Sequence, residues 1–237
     1  MGLVNIGKEA DKIYNIGMIV KVAKIFQAIT YWPFLSLFKL FLNFRVLGQE
    51  NLKGLESGPI IFASNHASFF DSPIAAAVVP RDKGDFYPKK FFPIRFLAGS
   101  QFFRWYYLLV AFYVYFNGSI KIIRGSGQDL STILADAVTA LKNNNHIWIF
   151  PEGGITEDGL LHPGKRGITF LQQATGAPIV PVAIRGTWKM FSLKNFFRRK
   201  NVVAVIGQPI YSLGEVSLLE GSEKVMKAIA NLYNKND

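Results

Sequence analysis

From Gly58 to the C-terminus, short apolar runs of strand character alternate with helical segments, and this alternation restricts the fold more than any other feature. Pro59–Ser64 (PIIFAS) reads as a buried strand. Ser72-Pro73 then supplies an N-cap and a first-turn proline before Ile74–Val79. Ile120–Arg124, Ile147–Phe150, Ile179–Ile184 and Val202–Ile206 read as further strands. Ser126 with Asp129 has the form of a capping box, opening a helix to about Asn143. Lys165–Thr175 reads as a helix ended by Gly176, and Glu223–Tyr233 as a closing helix. The pattern predicts an α/β fold: a mixed, largely parallel sheet flanked by helices. Pro181, inside Val180-Pro181-Val182, predicts an edge strand or a bulge.

The chain changes character at about Gln49. In Trp32–Val46 the polar residues Ser36, Lys39 and Asn43 form one narrow helical stripe, and Phe and Leu cover the rest. Such a helix is buried in protein or in lipid. Ile13–Ile29 is also apolar, with Lys21, Lys24 and Gln27, and Pro33 is expected to interrupt any helix running through both segments. The expectation is a two-helix membrane-anchoring hairpin over residues 1–48 and an α/β domain over 49–237. Two core helices are the competing reading.

Composition supports a lipid surface. Half of the 237 residues are hydrophobic, 21 are Phe, and Lys and Arg outnumber Asp and Glu by 27 to 16. Mean hydropathy is +0.20. A basic protein seeks anions, and one that is also unusually apolar fits an anionic membrane better than nucleic acid. No stretch reaches the roughly 18 to 20 apolar residues of a spanning helix. The absence of cysteine excludes disulfides, thiolate metal sites and a Cys nucleophile. The acidic and basic residues near the N-terminus do not suit a signal peptide.

Two loops that follow strands carry the chemistry. Asn65-His66-Ala67-Ser68-Phe69-Phe70-Asp71 lies between a strand and a helix, where ligands bind in open α/β sheets. His66 suits general-base work near neutral pH, and Asp71 could fix its tautomer. An ordinary satisfied loop is the bland alternative. In Phe150-Pro151-Glu152-Gly153-Gly154, the glycines admit close approach of a ligand to the backbone, and Glu152 could orient a hydroxyl or pair with a base. A Gly-rich turn is its bland alternative. Arg124, at a strand end, has the fork geometry for a phosphate, although a solvated Arg is commoner there.

In order and spacing, NHASFFD, GSIKIIRG, FPEGG and VPVAIRG resemble the motifs of the glycerolipid acyltransferase family, typified by 1-acylglycerol-3-phosphate acyltransferases. The resemblance spans about Gly58 to Gly186. It implies that His66 is the base that deprotonates an acceptor hydroxyl and that Asp71 orients it. It assigns Arg124, Glu152, Gly153 and, on a weaker match, Lys165 to the acceptor. It implies acyl-CoA or acyl-acyl carrier protein as co-substrate, with no cofactor and no metal. The sn-2 hydroxyl of lysophosphatidic acid is the first expected acceptor. Another lysolipid or glycerol 3-phosphate comes next, and a non-enzymatic membrane or nucleic-acid-binding module last. The third motif usually continues through Thr to a basic residue, whereas Gly154-Ile155-Thr156 stand here, and Lys165 or Arg166 could substitute. The resemblance places the protein at the cytoplasmic face of the cell membrane.

Other residues are less specific. His146 and His162 lack metal-ligand spacing and read as surface residues. Lys89-Lys90 reads as a basic surface turn or a headgroup contact. Phe96–Phe116 reads as a partly core, partly lipid-facing excursion near an acyl channel. Trp188–Lys200 mixes aromatics with cations, as a membrane interface or a single-stranded nucleic-acid platform does.

Overall fold

A computed structural model describes residues 2–104, 108–123, 125, 127–190 and 199–235, with side chains from residue 17 onward. In chain order the elements are α1 (Gly2–Phe41), β1 (Leu42–Leu47), β2 (Ile61–Ser64), α2 (Asp71–Val78), β3 (Ile94–Gly99), α3 (Leu108–Phe116) and β4 (Ile120–Ile122). There follow α4 (Leu130–Ile133), α5 (Ala135–Lys142), β5 (His146–Ile149), α6 (Gly167–Thr175), β6 (Ile179–Arg185), β7 (Lys200–Ile206) and α7 (Leu218–Tyr233). Among the described residues, the strands form one sheet in the order β1-β7-β6-β2-β5-β3-β4. Every neighbouring pair is parallel except β6 and β7. The α/β reading holds.

Helices cover both faces, which is why the central strands are apolar on both sides. Phe62, Trp148, Val180 and Val182 point into one core layer, which also receives Tyr31, Leu35 and Phe38 of α1 and Ile74 and Val78 of α2. Ile61, Ala63, Ile147, Ile149 and Ile179 point into the other, against Leu141 of α5, Leu171 of α6 and Val225 and Ile229 of α7. α7 begins with a full capping box between Ser217 and Glu220.

The N-terminal hairpin is corrected to one helix. Ala23, Gln27, Tyr31, Leu35 and Phe38 are all buried and recur at near-helical spacing straight through Pro33. Proline removes one intrahelical bond, and packing on both sides of it keeps α1 continuous. Gln27 locks the helix down: its Nε2 donates to the carbonyls of Ile94 and Asn117, and its Oε1 accepts from Ile94 N–H. The expected second helix ends at Phe41, and Leu42–Leu47 pairs with β7 as an edge strand. The division at residue 48 therefore does not separate an anchor from the sheet. No helix among the described residues is long and apolar enough to cross a membrane.

Pro181 is also corrected. β6 is flanked by β2 and β7, so it is not an edge. The ladder with β7 begins at Val182, and the Pro181 carbonyl accepts from Gly207 just beyond the end of β7. The missing N–H therefore faces a place where the ladder has run out. Ser126, of the expected capping box, lies outside the described residues. Asp129 is the N-cap of α4 without a side-chain bond.

Candidate active site

β2 and β5 are adjacent and parallel, with Ile61 opposite Ile147 and Ala63 opposite Ile149. Their carboxyl ends therefore emerge side by side. The loop after β2 carries His66 and the loop after β5 carries Phe150–Gly154, so topology brings the two motifs together.

His66 is held at several points. Its Nδ1 lies 2.9 Å from Asp71 Oδ2. The same oxygen accepts N–H bonds from Ala67 at 2.6 Å and Ser68 at 2.8 Å. Asp71 is fully buried at the first position of α2, where a helix end favours a carboxylate. With a carboxylate on Nδ1, the neutral imidazole carries its proton there and keeps a lone pair on Nε2. The ring stacks on Phe150, with centroids 3.8 Å apart and planes 12° from parallel. Beside it, Asn65 clamps β6 by exchanging two bonds with the Ile184 backbone.

His66 lines a cavity of about 630 Å³. Gly153 and Lys165 lie at the same wall, and among the described residues Lys165 is the cationic side chain lining it. Tyr113, Val114, Ile133 and Leu134 are part of an apolar wall of the same cavity. Gly153 has φ +76°, and a Cβ there would meet the Lys165 Cδ and Nζ at 2.9 Å. Glycine suits the left-handed backbone there, and the flexible Lys165 side chain lies across the space that a Cβ would fill. The Lys165 backbone is fixed by the Pro151 carbonyl and by Ser222. Glu152 is 8% exposed. Among the described residues its carboxylate meets backbone donors: Oε1 accepts from His66 N–H at 3.0 Å and Oε2 from His162 N–H at 3.1 Å. Burial raises its pKa, and the two backbone bonds lower it by less. Arg124 lies outside the described residues, although neighbouring Gly125 lines the cavity.

Sequence reasoning missed the turn after Glu152. Thr156 Oγ1 donates to Asp158 Oδ1 at 2.6 Å, and His162 Nε2 lies 2.9 Å from the same oxygen. The Thr-x-Asp spacing is a turn signal that could have marked it. His162 is exposed as expected. His146 is instead buried, its Nε2 against the Lys90 carbonyl and its ring beside Phe62 and Phe91, because it opens a central strand. Lys89 and Lys90 pair with Asp85 and Asp82 and do not line the cavity, which fits the surface turn. Phe96–Phe116 divides: Phe96, Val110 and Tyr113 line the cavity, whereas Leu108, Leu109, Phe112 and Tyr115 are exposed. In Trp188–Lys200, residues 191–198 lie outside the described residues. Lys189 sits over the Trp188 ring, and Lys200 donates to the Trp188 carbonyl.

The carboxyl edge of an α/β sheet thus presents a carboxylate-held imidazole to a partly apolar cavity. Residues 43–185, more than half of the chain, match the family model described as Acyltransferase, and the chain belongs to that family. It is 24% identical over 192 residues to the 1-acyl-sn-glycerol-3-phosphate acyltransferase BAT2, chloroplastic, of Brassica napus, covering 80% of this chain and 49% of the relative. The 1-acyl-sn-glycerol-3-phosphate acyltransferase of Saccharomyces cerevisiae is 28% identical over 207 residues, covering 84% and 63%. The human enzyme named beta is 26% identical, covering 73% and 58%. The chain thus spans about half to three-fifths of the length of these relatives. The crystal structure of the 1-acyl-sn-glycerophosphate (LPA) acyltransferase PlsC from Thermotoga maritima matches with a TM-score of 0.61 at 22% identity, over 94% of this chain and 81% of that one. At that identity the likeness is one of fold.

Proposed function

We propose that the chain transfers a fatty acyl group from acyl-CoA or acyl-acyl carrier protein to the sn-2 hydroxyl of 1-acylglycerol-3-phosphate, giving phosphatidic acid for phospholipid synthesis. One observation carries this reading: the cavity lined by His66 has both a cation, Lys165, and a long apolar wall. His66 Nε2 takes the proton of the acceptor hydroxyl as its oxygen attacks the thioester carbonyl. The tetrahedral intermediate collapses, and the leaving thiolate receives that proton. Asp71 supports the imidazolium between these steps. Lys165 and, on the family pattern, Arg124 hold the phosphate, with Gly153 leaving room for the lysine. The names of the relatives support the acceptor. Ile155 lines the cavity close to where the family pattern has a basic residue, which favours another lysolipid as the second reading.

The acceptor reaches the site from a membrane surface. Met18, Val22, Ile25 and Ile29 form an exposed apolar row on α1. Leu108, Leu109, Phe112 and Tyr115 of α3 continue it, and Phe26 and Phe112 join the helices at 6.0 Å. α3 also lines the cavity through Val110, Tyr113 and Val114, so the apolar surface borders the site. The cationic surplus suits anionic headgroups on the cytoplasmic side.

The test is product analysis by mass spectrometry with a panel of lysolipids, glycerol 3-phosphate and both donor types. Phosphatidic acid is expected from lysophosphatidate, and His66→Ala should lose turnover while keeping its melting transition. Undiminished turnover by His66→Ala would refute the base. Turnover confined to another acceptor would select the second reading.

A further inference from the structure

The family resemblance assigns Glu152 to the acceptor, but its carboxylate is not part of the cavity wall. That wall includes Pro151, Gly153, Gly154 and Ile155 and passes over Glu152, which is buried behind it. Each carboxylate oxygen is occupied by a backbone N–H from a different segment: Oε1 by His66, Oε2 by His162. We propose that Glu152 is a positioning residue for His66 and not a ligand of the acceptor.

The geometry explains why a carboxylate is needed. The His66 carbonyl accepts from Thr156 N–H at 2.9 Å, so both main-chain polar groups of His66 are bonded to the segment that follows β5. Asp71 holds the ring edge and Phe150 holds the ring face. Glu152 is the only one of these anchors that also reaches the far end of the loop, at His162. That end is itself ordered, because Asp158 Oδ1 gathers Thr156 Oγ1, the Leu160 N–H and the His162 ring. The loop therefore presents the His162 N–H at a defined place, and Glu152 transmits that place to the backbone of the base. Two N–H donors need two acceptors. A carboxylate offers two and no donor, whereas an amide offers one oxygen and an NH₂ that would face one of the N–H groups. A shorter aspartate cannot span both amides.

The activity readout rests on the acyl-transfer reading above, so a second readout is independent of it. Glu152→Gln is expected to lower kcat roughly 10- to 100-fold, the scale of an ångström-sized misplacement of a reacting group. KM for lysophosphatidate should stay near the wild-type value, and Glu152→Asp should not rescue kcat. Lys165→Met is the contrast: there, KM should rise. A Glu152→Gln enzyme with raised acceptor KM and retained kcat would overturn the proposal in favour of an acceptor ligand. In parallel, amide hydrogen exchange is followed by NMR on wild type and variant. The His66 and His162 amides are expected to be protected in wild type and to exchange faster in Glu152→Gln. Unprotected wild-type amides, or unchanged exchange in a folded variant, would also overturn it. If wild type transfers no acyl group to any lysolipid, the functional reading fails, while the exchange result still decides the clamp.

Discussion

His66 is oriented by Asp71 at one ring edge and by Phe150 against one ring face. One oxygen of Asp71 collects Nδ1 and two backbone N–H groups, and this leaves the opposite edge of the ring to the cavity. Gly153 couples a left-handed backbone to the position of Lys165. An added methyl group is strained at φ +76° and collides with the Lys165 side chain. Gly153→Ala is expected to raise acceptor KM by about tenfold, the worth of one charge-assisted hydrogen bond, with a smaller effect on kcat. Steady-state kinetics at fixed donor checks this, and an unchanged KM would separate Lys165 from the phosphate. Glu152 predicts a pH effect of opposite sign to that of a surface carboxylate. Burial raises its folded pKa above the ordinary 4.5. Its contribution to stability is then complete below about 4.5 and is lost as pH rises through the folded value. The melting temperature of wild type relative to Glu152→Gln should therefore fall as pH rises above about 4.5. A difference that grows with pH would contradict that burial.

At the scale of elements, α1 shows how packing overrides a local rule. Pro33 argues for a break, yet a buried row on both sides of it keeps the helix whole. Gln27 is the polar fastener of that row, completing three hydrogen bonds with the start of β3 and the turn after α3. Gln27→Ala leaves the N–H and carbonyl of Ile94 and the carbonyl of Asn117 without this partner in a buried place. A loss of about 2–4 kcal/mol is expected, read from urea unfolding. A loss below about 0.5 kcal/mol, the range of ordinary surface substitutions, would mean that the apolar face alone fixes the helix. β1 carried a legible signal: Leu42, Phe44 and Val46 alternate with Asn43 and Arg45, a period of two. The helical stripe drawn through Asn43 concealed it. β3 was hidden differently, because IRFLAG sits inside a long aromatic stretch whose periodicity does not separate strand from helix.

At the scale of the whole molecule, α1 and α3 share an exposed apolar surface, and α3 also contributes Val110, Tyr113 and Val114 to the cavity lining. Removing residues 1–48 would not test it, since that deletion takes β1 and the buried face of α1 with the exposed row. Replacing the exposed Ile25, Ile29, Leu108 and Leu109 by Ser leaves the buried core residues unchanged. Co-sedimentation with phosphatidylglycerol-containing vesicles should then fall roughly tenfold or more, because exposed apolar area and anionic attraction act together. Retained binding by a folded variant would move the membrane contact elsewhere.

The sequence by itself determined the α/β class and strands β2, β4, β5, β6 and β7, because each depends on residues a few positions apart that local periodicity reports directly. Spacing alone left His66 and Asp71 open to an ordinary loop, and the family resemblance implied their pairing. The tertiary structure alone decided the continuity of α1, the strand order and the antiparallel turn of β7. It also decided the direction in which Glu152 points. That side chain can face a substrate or a backbone amide from the same FPEGG sequence, and the choice lies with His66 and His162, which only the packed sheet brings to its two oxygens.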